Sequence, residues 1–180
     1  TRPSVAREGY SLKGWYIDGE AWVFNGYSVT YDMTLTADWR VNTYKVAFDL
    51  NGASQEIENA YYTYDEHVTL PLPAPRLGYD FLGWKYENNY IDNGVWKIAS
   101  EITLVADWAV GTYLINYDLN YDSLTKVQKE AFGDEYELLA PERKGYTFEG
   151  WYLDLVKYEV STPWLYETNL DLIAKWGVNT

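Results

Sequence analysis

An internal repeat organises the chain of 180 residues and constrains its fold more than any other feature. One phrase, Gly-Tyr-x-x-x-Gly-Trp, begins at Gly9, Gly78 and Gly145, with periods of 69 and 67 residues. A second phrase, Leu-x-Ala-x-Trp, follows each copy, and its tryptophan lies 24, 24 and 25 residues after the first. A third phrase, Tyr-x-x-x-x-Asp-Leu-Asn, begins only at Tyr44 and Tyr113. The chain therefore contains two full repeats and one half-repeat.

These phrases set the expected domain boundaries. We expect the second half of a truncated repeat in residues 1–40, full repeats in 41–109 and 110–177, and a tail in 178–180. A start in mid-repeat is typical of an excised piece of a longer array. Because a two-stranded remnant is marginal alone, residues 1–40 are expected to dock on the next repeat or to mediate weak association of an otherwise monomeric chain.

The repeated phrases predict β-strands. Apolar residues occupy every second position in residues 44–50, 113–119 and 104–108, which is the period of a half-buried strand. Gly83 and Gly150 lie inside strand patterns, where glycine marks a bulge or the close approach of another group. Aromatic residues, which favour the pleated surface of a sheet, make up 18% of the chain. The predicted fold class is therefore mainly β.

Variable segments between the phrases predict short helices. Leu124, Val127 and Ala131 have helical spacing in residues 122–131, and residues 53–62 carry a weaker version. Residues 163–167 resemble one helical turn. Each repeat is thus predicted to be a small α+β unit, with a mixed sheet and a short helix or helical turn.

Composition excludes several classes of function. The formal net charge of −13 argues against nucleic acid and anionic membranes as partners, because both are bound through Lys and Arg. The absence of cysteine removes disulfides, thiolate metal sites and a cysteine nucleophile, and His67 is the only histidine. No apolar run approaches the length of a membrane span. We expect no catalytic residues, cofactor, metal site or membrane insertion. The opposing hypothesis of an enzyme predicts turnover that is lost on substitution of His67 or of a specific carboxylate.

The phrases together resemble the Listeria–Bacteroides repeat, also called the internalin B-repeat. The resemblance lies in residues 145–152 and 172–176, in the preceding Ala-Pro-Glu-Arg-Lys of residues 140–144, and in the opening phrase of residues 44–52. It implies a small β-grasp-like fold and no catalytic residues. It also implies a place in large cell-surface or secreted proteins of Gram-positive and gut bacteria, often as tandem stalks beside adhesive domains.

The tryptophans divide into two groups. Six recur at one place in each repeat and are predicted to be core, because small domains need large rings to bury enough surface: Trp15, Trp39, Trp84, Trp108, Trp151 and Trp176. The aromatic residues of the variable segments are the candidates for surface contacts with a ligand: Trp22, Tyr86, Tyr90, Trp96 and Trp164.

The sequence favours a non-enzymatic tandem-repeat module of an extracellular protein, on a bacterial surface or secreted. Such a module would act as a stalk or spacer and offer a surface for protein interaction and adhesion. The expected partner is a protein or another component of a host or neighbouring cell surface. The alternative is a carbohydrate-binding module, in which exposed tryptophan and tyrosine rings would stack on a glycan.

Overall fold

A computed structural model describes residues 2–26, 29–123 and 125–180. These residues form fifteen β-strands in four sheets, and no helix occurs among them. The chain divides into two compact units. The first unit comprises Thr1–Ala74 and Gly83–Asp107, and the second comprises Pro75–Leu82 and Trp108–Thr180. Compact units and sequence repeats therefore have different boundaries.

The first ten strands belong to the half-repeat and the first full repeat. They are β1 (Tyr10–Ile17), β2 (Glu20–Ala21), β3 (Thr36–Val41), β4 (Thr43–Asp49), β5 (Ala60–Thr63), β6 (His67–Val68), β7 (Tyr79–Tyr86), β8 (Asn89–Ile91), β9 (Gly94–Val95) and β10 (Ile102–Val110). All lie wholly in the first unit except β7 and β10, which contain residues of both units. The half-repeat forms a three-stranded sheet in the order β2-β1-β3, and β6 pairs with β9.

The remaining five strands lie in the second unit. They are β11 (Thr112–Asp118), β12 (Thr125–Ala131), β13 (Tyr146–Leu153), β14 (Val156–Lys157) and β15 (Leu170–Val178). The two full repeats have equivalent five-stranded sheets, β5-β4-β10-β7-β8 and β12-β11-β15-β13-β14. In each sheet the first and last strands of the repeat, β4 with β10 and β11 with β15, are parallel neighbours. The sheets are therefore mixed, as predicted.

The core of the second unit comes from alternation along its central strands. Leu170, Leu172 and Ala174 are buried in β15, while the residues between them are exposed. Ile115 and Tyr117 of the parallel neighbour β11 are both 0% exposed. The first unit has the same arrangement, and its buried residues include Val46, Trp84, Leu104 and Ala106. The period-two pattern of the sequence therefore identified the buried face of each sheet.

The predicted helices are wrong for the described residues. In residues 122–131, where Leu124 lies outside the described residues, Thr125–Ala131 is the strand β12, paired along its length with β11. The helical spacing of Val127 did not indicate a buried helix face, because that side chain is 57% exposed. In residues 53–62, Ala60–Thr63 forms β5 on the edge of its sheet. Hydrogen bonds to the first strand of the repeat, β11 or β4, satisfy the backbone polar groups of β12 and β5. This strand pairing outweighs the local helical spacing of the two segments.

Residues 163–167 also form no helical turn. The N–H of Trp164 donates to the carbonyl oxygen of Asp134 at 2.7 Å, and the N–H of Gly133 donates to the carbonyl oxygen of Trp164 at 2.7 Å. The backbone at Trp164 is therefore held by a distant segment rather than by local bonds.

Tight two-residue turns join three of the hairpins, at residues 18–19, 87–88 and 154–155. Asp154 and Leu155, between β13 and β14, both have positive φ, at 49° and 76°. Glu87 and Asn88 between β7 and β8 do the same, at 47° and 68°. Two positive φ values define the type I′ turn, whose twist matches that of the flanking strands. Leucine is an unusual residue in such a turn, because its Cβ crowds the backbone there.

Candidate functional site at the glycine turns

Each copy of the Gly-Tyr phrase is preceded by an arginine and forms one recurrent turn. In the half-repeat the N–H of Tyr10 donates to the carbonyl oxygen of Arg7 at 3.0 Å, and Gly9 has φ 76°. Positive φ at the third residue defines a type II turn and explains the glycine. The Arg7 guanidinium lies 3.7 Å from the centre of the Tyr10 ring. The same turn is formed by Arg76, Gly78 and Tyr79 and by Arg143, Gly145 and Tyr146.

In the first unit an aromatic ring covers this turn. A Cβ at Gly9 would lie 2.1 Å from Cγ of Tyr64, so the ring occupies the space of the missing side chain. The N–H of Asn42 donates to the carbonyl oxygen of Gly9 at 2.9 Å, and the N–H of Tyr64 donates to that of Asn42 at 3.0 Å. The rings of Tyr10 and Tyr64 meet edge to face at 6.0 Å. Gly9 is consequently buried.

The second unit repeats the arrangement with phenylalanine. A Cβ at Gly78 would lie 2.1 Å from Cγ of Phe132. The N–H of Gly111 donates to the carbonyl oxygen of Gly78 at 2.7 Å, and the N–H of Phe132 donates to that of Gly111 at 2.9 Å. Oε1 of Glu167 accepts a further bond from the N–H of Gly78 at 2.8 Å. In both units, an aromatic residue of one sequence repeat therefore seals the glycine turn of the preceding repeat.

A charged cluster accompanies the covered turn of the first unit. Asp65 accepts a hydrogen bond from the Tyr10 hydroxyl at 2.6 Å and forms an ion pair with Lys97. The hydrogen bond from Lys97, and then that from Tyr10, hold the pKa of the Asp65 carboxyl below its ordinary value of 3.8. The same bond to Asp65 raises the pKa of the Tyr10 hydroxyl. In the second unit Gly133 follows the covering Phe132, so this charge is particular to the first unit.

Comparison with known proteins decides the family. The family model of the Listeria-Bacteroides repeat domain matches residues 1–38, 44–107 and 113–175. The chain belongs to this family. Its covered glycine turns are thus contacts between consecutive Listeria-Bacteroides repeats of one polypeptide.

Individual relatives extend over much longer chains. A protein of Evansella cellulosilytica named as a membrane protein is 34% identical over 186 residues, covering 96% of this chain and 27% of that protein. A second protein of that organism, named as a Gly-rich membrane protein, is 34% identical over 159 residues, covering 82% and 18%. Internalin H of Listeria monocytogenes is 26% identical over 172 residues, covering 91% and 30%. The chain spans less than a third of the length of these curated relatives.

One similar solved structure contains domains 3-4 of the Streptococcal High Identity Repeats in Tandem (SHIRT) of a cell surface protein. It is 10% identical, covers 74% of this chain and 96% of that chain, and gives a TM-score of 0.28.

Two of the five predicted surface aromatics are wrong. Trp96 is 3% exposed and Trp164 is 0% exposed, so neither indole is available for a ligand. Both hold equivalent places in the Listeria-Bacteroides repeats: Trp96 exchanges backbone bonds with residues 65 and 66, as Trp164 does with residues 133 and 134. A sequence signal existed, since these tryptophans follow Trp84 and Trp151 by 12 and 13 residues.

The other three surface candidates are at least partly accessible. Tyr90 is 49% exposed and its hydroxyl donates to the Asp107 carboxylate, while Trp22 and Tyr86 are half-buried. The Trp22 ring meets Phe24 edge to face at 6.4 Å, and both line a surface depression of the half-repeat.

The six repeated tryptophans differ in depth. Trp84 and Trp151 are each 2% exposed, and their indole N–H groups donate to the carbonyl oxygens of Pro71 at 2.8 Å and Leu139 at 2.7 Å. Within the described residues, the equivalent buried N–H of Trp15 has no partner. The other repeated tryptophans, half-buried like Trp15, are Trp39, Trp108 and Trp176.

In the described part of the chain, no group of three His, Asp or Glu side chains is placed to hold a metal ion. The described residues include no helix long and apolar enough to cross a membrane. His67 lies exposed in the two-residue strand β6.

Proposed function

We propose that this chain is a mechanical spacer in a bacterial cell-surface protein and that its exposed side chains contact a partner on another cell. One observation carries the spacer role: the first and last strands of each full repeat are parallel neighbours in the sheet. The glycine turns add a second support, since each compact unit ties one repeat to the turn of the preceding repeat.

The parallel arrangement determines how a repeat would carry tension. In the second unit, Ile115–Asp118 of β11 pairs in parallel with Leu170–Ile173 of β15. Tension enters at the start of β11 and leaves at the end of β15, so the two strands are pulled past each other along their axes. The slanted bonds of the parallel ladder are then loaded together rather than one at a time. A repeat loaded in this way should resist extension.

The relatives support a surface location. Two are named as membrane proteins and one as an internalin. We therefore propose that the chain acts outside the bacterial cell, without catalysis, and that its partner is a protein or glycan of a host or neighbouring cell.

Single-molecule force spectroscopy tests the spacer role. The chain has no cysteine, so introduced pairs give unique attachment points. Cysteines at Thr112 and Val178 load β11 against β15 along their axes. Cysteines at Thr147 and Val178 peel β13 from β15, because Thr147 lies opposite Gly177 in that antiparallel pair. We expect a clearly higher unfolding force for the first pair; equal or lower force would contradict the spacer role.

The carbohydrate-binding alternative rests on the exposed Tyr90 ring and on the depression lined by Trp22 and Phe24. It predicts saturable changes of tryptophan fluorescence on titration with oligosaccharides, reduced in Trp22→Ala or Tyr90→Ala. Trp39→Phe, altered outside that depression, is the matched control. No response across a broad oligosaccharide panel would contradict this alternative and leave a protein as the expected partner.

A further inference from the structure

The third glycine turn has half of the arrangement seen in the other two. Gly145 has φ 81°, and its carbonyl oxygen accepts a bond from the N–H of Asn179 at 3.1 Å. The hydroxyl of Thr147 donates to Oδ1 of Asn179 at 2.6 Å, just as that of Ser11 donates to Asn42 at 2.7 Å. The backbone of this turn and the hydrogen bonds to its asparagine therefore match those of the covered turn at Gly9.

No ring of the described residues covers this turn. Among the described residues beyond its chain neighbours, no atom lies within 4 Å of the position that a Cβ at Gly145 would occupy. Gly145 is exposed, whereas Gly9 and Gly78 are buried. A type II turn that is open at the place where the two equivalent turns hold a ring has the shape of a docking site for an aromatic side chain.

We infer that the Gly145 turn docks the aromatic side chain of a further Listeria-Bacteroides repeat in the same polypeptide. The two covered turns define this occupant. Tyr64 lies 22 residues after Asn42, and its N–H donates to the carbonyl oxygen of Asn42. Phe132 lies 21 residues after Gly111 and makes the same bond to it. The sequence Val-Asn-Thr of residues 41–43 recurs at 178–180. The ring of the further repeat covers Gly145, and its N–H donates to the carbonyl oxygen of Asn179.

This inference goes beyond the spacer role, since a repeat could resist force without recognising its neighbour. It makes the joint between repeats a specific contact with two requirements. One repeat must supply glycine in a type II turn, and the next must supply a tyrosine or phenylalanine at a fixed distance after the junction.

Nuclear magnetic resonance of the α-protons of glycine tests the inference. The full chain is compared with an extended chain in which a second copy of residues 44–109 follows Thr180, so that the added Tyr64 stands where the occupant is proposed. Gly9 and Gly78, which already lie against rings, give the reference ring-current shifts. We expect the Gly145 signal, assigned by its loss in Gly145→Ala, to lack such a shift in the original chain and to acquire one in the extended chain.

Variants of the added copy identify the occupant. Tyr64→Phe in that copy should keep the Gly145 shift, and Tyr64→Ala should abolish it. A second extension with residues 113–180, which supplies Phe132, should give the same shift as the first. An unchanged Gly145 signal in both extensions overturns the inference, and so does an added repeat that stays unfolded in both, because docking would stabilise it. A concentration-dependent shift in the original chain would assign the site to a second molecule and overturn it as well.

Discussion

The ring of Tyr64 fills the space that a side chain at Gly9 would need, with Cγ 2.1 Å from the position of the absent Cβ. The glycine is thus required for two separate reasons. Its φ of 76° disfavours any residue with a Cβ, and the ring leaves no room for one. Gly145 meets only the first requirement, which allows the two effects to be separated by experiment.

Substitution of Gly78 should therefore destabilise the second unit more than the same substitution of Gly145. Both alanines would be strained by about 1–2 kcal/mol at positive φ. Gly78→Ala must also displace the Phe132 ring, which adds about 1–3 kcal/mol of overpacking. Urea unfolding followed by tryptophan fluorescence measures both variants in the same unit. Equal losses of stability would show that the ring contact contributes nothing.

The sequence predicts the fold well where the residues of a single strand determine the local structure. The alternation of residues 113–119 predicted β11, and the glycine inside the Gly-Tyr phrase predicted a bulge, which is confirmed between Phe148 and Gly150. At Gly83 the predicted close approach is also present, since the Tyr90 ring lies 3.0 Å from the Cβ position. These features depend on neighbours in sequence or on the pleat itself.

Features set by distant partners were not predictable in the same way. The strand β12 depends on pairing with β11, for example through the 2.6 Å bond from the Tyr117 hydroxyl to Gln128, and its own residues gave a weak helical pattern. Trp164 is buried because residues 133–134 hold its backbone. The covered glycine turns involve residues 55 and 54 positions apart, Gly9 with Tyr64 and Gly78 with Phe132, and no local pattern marks those pairs.

Leu155→Gly should stabilise the second unit. Leu155 has φ 76° and is 95% exposed, so the substitution relieves strain and loses almost no packing. Relief of about 1–2 kcal/mol, less about 0.5–1 kcal/mol for the greater freedom of glycine in the unfolded chain, leaves a net gain of up to about 1.5 kcal/mol. Thermal or urea unfolding measures it. Leu72→Gly is the control: Leu72 is 83% exposed without positive φ, and its substitution should destabilise.

Acid should weaken the first unit through Asp65. Lys97 and the Tyr10 hydroxyl lower its pKa in the folded state below 3.8, so the carboxylate stabilises the fold above that pH. This contribution is lost as the pH falls from 3.8 through the lower folded value. Asp65→Asn should therefore be less stable than the original chain at neutral pH, and the difference should shrink below pH 3.8. Urea unfolding across this range measures it; a difference independent of pH would exclude the charge as its cause.

The interaction of Asp65 with Lys97 can be isolated by a double-mutant cycle. Lys97→Met keeps much of the apolar stem and removes the charge that most strongly lowers the pKa of Asp65. In a Lys97→Met background, Asp65→Asn should have a smaller effect at neutral pH than in the original chain. Additive effects of the two substitutions would show that the ion pair is not coupled.

Trp164→Ala should be among the most destabilising single substitutions in the second unit. The side chain is 0% exposed, its indole N–H donates to the carbonyl oxygen of Tyr166 at 2.9 Å, and its ring packs 5.0 Å from that of Tyr136. Removing a fully buried tryptophan costs about 3–5 kcal/mol. Trp22→Ala, at a half-buried ring, should cost about 1 kcal/mol. Urea unfolding of both variants measures the contrast; similar small losses would mean that Trp164 is not core and would reopen its role as a ligand contact.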